Sequence, residues 1–178
     1  TEYRMPPQFI TNVSGNRSVR RLVRFQEIPR MLVNAVISVE DKNFFRHSGF
    51  DILRIGKAAW VDLREGRKEQ GASTLTQQFV KITLQENALK RGDKDAAKAA
   101  TTKTYSRKLQ ELKYALNVEE NFTKDQILEG YLNLVYYGDL AYGVEAAAHH
   151  YFGIPASKLN LPQAALLAGL VQLPSSTD

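Results

Sequence analysis

Four short stretches of this 178-residue chain concentrate the side chains able to do chemistry. The first, I-S-V-E-D-K-N-F-F-R-H-S-G-F over residues 37–50, sets an acidic pair against an aliphatic run and follows it with Phe44, His47 and Gly49. On a helix starting at Pro29, Glu40 comes four residues after Val36 and three after Ile37, so it continues the stripe that those residues bury. A carboxylate at the end of a buried stripe is partly desolvated, which favours its taking a proton from a substrate hydroxyl. Asp41 is turned about 100° away and is expected to be the solvated member of the pair. The alternative is that the two acids merely frame a helix end, although the helix dipole disfavours negative charge at a C-terminus.

The second stretch is G-A-S-T-L-T-Q-Q-F-V-K, residues 71–81. Thr74, Gln77, Gln78 and Lys81 fall at i, i+3, i+4 and i+7, opposite a stripe of Leu75, Phe79 and Ile82. An ordinary solvated face mixes Glu and Lys, whereas this one carries hydroxyls, amides and one ammonium. It opens beside Ser73 at a helix N-terminus, where free N–H groups favour an anion. Hydrogen bonding to a sugar or phosphate is one reading of it, and a cap with buried amides is the other.

The third stretch, R-K-L-Q-E at 107–111, puts Arg107, Lys108 and Glu111 on one helical face. Taken alone it amounts to an i,i+4 ion pair of roughly 0.2–0.5 kcal/mol. The fourth, I-L-E-G-Y-L-N-L-V-Y-Y-G-D-L-A-Y-G-V-E-A-A-A-H-H-Y-F-G at 127–153, carries turn glycines at 138, 143 and 153. Its Tyr131, Tyr136, Tyr137, Tyr142, Tyr151 and Phe152 read as core and turn packing. His149 and His150 are adjacent, so they point in different directions on a helix and form no metal pair.

The elements that must carry these groups are helices. Residues 1–26 read as an irregular arm. After Ile28, with Pro29 at a first helical position, Met31, Leu32, Ala35, Val36 and Val39 repeat at helical spacing. Asp51 caps a second predicted helix that runs to about Glu65 and ends at Gly66, and Ser73 or Thr74 caps a third. Residues 85–104 are polar and rich in Ala and Lys, and predict a solvent-facing excursion with some helical tendency that adds little core. A long helix follows on Tyr105, Leu109, Leu112 and Leu116. Thr123 with Gln126 makes a capping box for the next, through about Leu134, and two more are predicted near Tyr142 to Tyr151 and Pro162 to Val171. With no internal repeat and no alternating strands, the fold class is mainly α.

Composition sets outer limits. A hydrophobic content of 43% suits one or at most two compact domains, and the formal charge of +5 favours anionic partners without naming one. The absence of cysteine excludes disulfides and thiolate metal sites, and three histidines are too few and badly spaced for zinc. The longest apolar run, Ala164 to Val171, falls far short of the roughly 18 residues that span a bilayer. The start at Thr1, without a signal-like segment, gives the expectation that an anchoring segment lies outside this chain.

Taken in order, the four stretches resemble the peptidoglycan glycosyltransferase domain, glycosyltransferase family 51, of class A penicillin-binding proteins and monofunctional transglycosylases. The first is similar to E-D-x-x-F-x-x-H-x-G, met by Glu40, Asp41, Phe44, His47 and Gly49. The second is similar to G-x-S-T-x-T-Q-Q-x-x-K, met by Gly71, Ser73, Thr74, Thr76, Gln77, Gln78 and Lys81. The third resembles R-K-x-x-E and the fourth I-L-E-x-Y-L-N, and A-A-L-L-A-G-L-V-Q-L-P-S-S resembles the family's closing helix. Ile82, Gln163 and Val171 stand where the family often has Asn, Glu and Pro, and residues 85–104 look longer than usual.

The resemblance implies one lysozyme-like, α-helical glycosyltransferase domain over residues 1–178, with a head lobe and a small membrane-proximal jaw at about 50–70. There Phe50, Leu53 and Trp60 accompany Arg54, Lys57, Arg64, Arg67 and Lys68, as suits an anionic lipid surface or, equally, a core helix with a basic outer face. It implies processive, inverting polymerisation of lipid II into β-1,4 glycan with release of polyprenyl pyrophosphate. Glu40 would be the base, while Lys81, Arg107 and Lys108 stabilise the leaving pyrophosphate. Glu111 would orient those cations or help hold a divalent ion (Mg or Mn), with Asp41, Phe44, His47, Ser73, Thr74, Gln77 and Gln78 around the substrate. No organic cofactor and no nucleic acid are expected. The implied partners are lipid II, the growing glycan chain, the membrane surface and a moenomycin-type inhibitor, at the outer face of the bacterial cytoplasmic membrane. The rivals are a lysozyme-like hydrolase, which has no pyrophosphate to neutralise, and a catalytically silent module binding anionic lipid or nucleic acid.

Overall fold

Helix α1, Arg30–Glu40, takes Pro29 as its N-cap, one position earlier than expected, and the Pro29 carbonyl accepts from the N–H groups of Leu32 and Val33 at 2.9 and 3.3 Å. Its buried face is Leu32, Val33, Val36, Ile37 and Glu40. Met31 and Val39, assigned to the stripe from sequence, are 40% and 37% exposed, so the stripe is rotated toward Val33 and Ile37. The computed structural model describes residues 21–51, 73–102 and 104–172. The helix expected from Asp51, the jaw from 52 onward and most of the arm lie outside those residues.

Six further helices follow among the described residues: α2 Leu75–Lys90, α3 Lys94–Thr101, α4 Tyr105–Asn121, α5 Lys124–Leu134, α6 Val144–Phe152 and α7 Leu161–Gln172. Short 3₁₀ turns lie at Phe25–Glu27, Phe44–Arg46 and Ala156–Lys158, and the β structure described is a single bridge between Tyr136 and Tyr142. Helix α1 packs on α7, where Ala164, Leu167 and Ala168 are buried, while α2 touches α3, α4 and α5. The core gathers Leu32, Val36, Phe44, Leu75, Leu128 and Tyr131, among others. Each such side chain contributes roughly 1.5–3 kcal/mol when fully removed from water.

Residues 85–104 are mostly exposed and largely helical: α2 continues to Lys90, Gly92 turns the chain at φ +73°, and α3 folds back on α2 with only Ala88 and Ala97 buried among the described residues of this stretch, neither in the main core. Alanine permits this because a methyl side chain lets two helices approach closely, while the lysines stay outside. On α4 the predicted stripe begins outside, with Tyr105 93% and Leu109 68% exposed, and the face turned inward is Glu111 and Ala115. Gly49 decides that face: a Cβ there would stand 3.1 Å from the Ala115 carbonyl, so the loop after α1 lies directly on α4.

The fourth stretch works as a clamp. On α5, capped by the Thr123 and Gln126 box, Asn133 accepts from the Val23 N–H (3.0 Å) and donates to the Val23 carbonyl (2.8 Å). Glu129 accepts from the Phe25 N–H at 2.7 Å, so two side chains of one helix fix the strand-like entry to the domain.

Candidate active site

The site forms where the loop after α1, the N-terminal turns of α2 and the first turns of α4 converge, with α5 beneath. Glu40 is the last residue of α1 and is 9% exposed. Its Oε2 accepts a 2.7 Å hydrogen bond from Gln78 Nε2, and Gln78 Oε1 in turn accepts from the Tyr131 hydroxyl at 3.1 Å. A carboxylate from the first motif, an amide from the second and a phenol from the fourth therefore form one chain.

Asp41 is not the solvated partner expected from its helical angle; it is 1% exposed. The reason is that the chain leaves the helix there, at φ −156° and ψ 78°, and the carboxylate turns to the N-terminus of α2. Oδ2 accepts from the Leu75 N–H at 3.0 Å and is 2.9 Å from His47 Nε2. An acid at free N–H groups is favoured by the helix dipole. Phe44 is fully buried, edge-on to His47, with Lys124 Nζ 4.3 Å from its ring centre. Lys124 also donates to the His47 carbonyl (2.6 Å) and pairs with Glu119, which accepts from Thr76 Oγ1. Asp41, Phe44 and His47 thus brace the loop from inside.

Thr74 is the N-cap of α2, its hydroxyl accepting from the Gln77 N–H and donating to the Gly49 carbonyl at 2.8 Å. Gln77 is 2% exposed, and its Nε2 donates to that same carbonyl at 3.2 Å. Lys108 Nζ donates to Gln77 Oε1 (2.9 Å), Ser73 Oγ (2.6 Å) and Glu111 Oε1 (2.8 Å). Arg107 pairs with the other Glu111 oxygen and donates from Nε to the Thr102 carbonyl at 2.6 Å. The third motif is therefore more than a surface ion pair. Glu111 is buried at 4% exposure and holds two cations, while the Lys108 side chain remains 42% exposed.

Between α2, α3 and α4 lies a cavity of about 360 Å³ that Lys81, Arg91, Arg107 and Glu111 help to line. Three cations with one buried acid leave an excess of positive charge, suited to an anion. Among the described residues no cluster of three or more His, Asp or Glu is arranged to hold a metal ion.

The structure forms two networks that meet on α2 at the neighbouring Gln77 and Gln78: Glu40 with Gln78, and Gln77 and Ser73 with Lys108, Glu111 and Arg107, while Lys81 lines the cavity beside Arg107 and Glu111. Tyr131 was read from sequence as packing alone, and Lys124 was not singled out. A signal for Tyr131 existed, since a tyrosine four residues from Ile127 on a buried stripe needs a partner for its hydroxyl. Burial, then the negative charge of Glu40, then Tyr137 push the Tyr131 phenol well above its ordinary range, so it keeps its proton.

Residues 7–178 match the transglycosylase family. The chain is 42% identical over 156 residues to penicillin-binding protein 2D of Bacillus subtilis, covering 88% of this chain and 20% of that protein. It is 40% identical over 171 residues to penicillin-binding protein 1A of Streptococcus oralis, covering 96% of this chain and 25% of that protein. Penicillin-binding protein 1A of Clostridium novyi is 43% identical over 161 residues, 86% of this chain and 17% of that protein. The chain spans about a quarter or less of the length of these curated relatives. With every described helix inside the match, this chain belongs to the transglycosylase family.

Proposed function

We propose that this chain is a peptidoglycan glycosyltransferase that polymerises lipid II into β-1,4-linked strands and releases polyprenyl pyrophosphate. The observation that carries the reading is a largely buried glutamate, held by an amide, in the same site as a cluster of cations fixed on α2 and α4. Glu40 takes the proton from the attacking 4-hydroxyl of the incoming unit. Inversion requires the leaving group on the opposite face, where Arg107, Lys108 and Lys81 stabilise charge developing on the pyrophosphate. Glu111 acts on its two cations, fixing each before substrate arrives, so no reorganisation is needed in the transition state. Gln77 and Ser73 hold the Lys108 ammonium in place.

A divalent ion does not fit Glu111, the acid expected to help hold one. Both Glu111 oxygens are held by cations, and Asp41 Oδ2 is bound to Leu75 and His47. A growing strand retained by successive additions, a membrane surface next to the jaw, inhibition by a moenomycin-type phosphoglycolipid and a site at the outer face of the cytoplasmic membrane all accord with a lipid-linked substrate. No helix of the described residues is long and apolar enough to cross a membrane.

The test is gel-resolved incorporation of labelled lipid II, in detergent with divalent cation, by this chain and by Glu40→Gln. A ladder of glycan from the parent chain alone, with equal melting temperatures, is expected. Full activity of Glu40→Gln ends the base assignment. No product from a folded parent chain moves the weight to a binding role.

A further inference from the structure

We propose that Tyr131 is a positioning residue for the base, its hydroxyl fixing which end of the Gln78 amide faces Glu40. This rests on the reading of Glu40 as the base. A glutamine side chain has a donating and an accepting end of nearly equal shape, and nothing in the residue itself selects one. An ionised carboxylate only accepts, so the productive arrangement has Nε2 toward Glu40 and Oε1 away, as the 2.7 and 3.1 Å hydrogen bonds have it. The reversed amide would set its carbonyl oxygen against the carboxylate and take from the buried Tyr131 hydroxyl the acceptor for its proton.

Tyr131 is suited to enforce the choice. It is fully buried on α5, a helix in direct contact with α2, so its ring cannot be displaced without opening the core. Because the phenol stays neutral, it is a standing donor across the range in which a transferase works. The hydrogen bonds link positions 53 and 38 residues apart in the chain, binding α5, α2 and the end of α1 into one unit. With no exposed surface of its own, the tyrosine acts through Gln78.

Tyr131→Phe preserves the ring and removes only the oxygen. Expected is a fall in kcat of about tenfold, equivalent to about 1.4 kcal/mol, with KM for lipid II unchanged and a melting temperature within a few degrees of the parent. A double-mutant cycle supplies the decisive readout. Gln78→Ala is expected to lose at least as much kcat, and adding Tyr131→Phe to it to cost nothing further. Multiplying losses, a raised KM in place of a lowered kcat, or a fully active Tyr131→Phe would each overturn the proposal. Running Glu40→Gln alongside separates the two levels: if that variant is inactive while Tyr131→Phe is unimpaired, the base stands and the positioning role falls. If Glu40→Gln is active, the base assignment itself fails.

Discussion

Two glutamates, Glu40 and Glu111, end on nearly buried positions, and their neighbours give them opposite work. Glu40 accepts from the uncharged Gln78 amide, whereas Glu111 meets Arg107 and Lys108. In the proposed reaction the first is the proton acceptor and the second the scaffold for cations. At this scale Arg107→Ala tests the anion-binding half. Binding of pyrophosphate-bearing lipid should weaken about tenfold or more, and that of the glycan product far less, by direct titration of each. Equal weakening of both would mark a folding defect. The residues themselves were legible here, since side-chain type and spacing are properties of the chain. The fate of Asp41 was not: its burial depends on the backbone leaving the helix at that residue and on the N-terminus of α2, 34 positions away.

Among the elements, α2 does the most positioning. Its N-cap Thr74 and Gln77 grip the Gly49 carbonyl, Gln78 reaches Glu40, and Lys81 enters the cavity beyond. Helix α5 supports it from below and anchors the turn to α6. At that turn Gly143 has φ +82°, and a Cβ would lie 2.6 Å from the Asn133 carbonyl. Gly143→Ala should therefore cost about 2–4 kcal/mol, read as a fall in denaturation midpoint. Gly92→Ala is the control, for it has φ +73° with nothing within 4 Å, and should cost only the backbone strain of about 1 kcal/mol. Helix existence and caps, such as Thr74 and the Thr123 and Gln126 box, were readable because capping is a contact between near neighbours. The inward face of α4 was not, because its leucine period gave way to a paired acid and to the close approach of Gly49.

The whole molecule carries a pH signature from its buried phenols. Burial raises Tyr137 above the ordinary value of 10.0, and burial with the Glu40 charge does the same for Tyr131. Both are neutral in the folded state where the unfolded chain would ionise them. Their contribution is fully present below about pH 10 and is lost as pH rises from there through the folded values. Chemical denaturation across pH 9–12 should show stability falling by up to about 1.4 kcal/mol per pH unit for each phenol. Tyr131→Phe should make that slope shallower.

The sequence by itself determined the mainly α class, the helices α1, α2 and α4 to α7, the Thr123 and Gln126 capping box and the ordered motifs that carry the family resemblance. Each of these rests on residue type and on contacts between near neighbours in the chain. Only the tertiary structure decided that α3 folds back on α2, that Asp41 is buried, and that Tyr131, Gln78 and Glu40 form one chain of hydrogen bonds. Those outcomes depend on which helices meet and at what rotation, and helical periodicity fixes a face without naming the neighbour that will cover it.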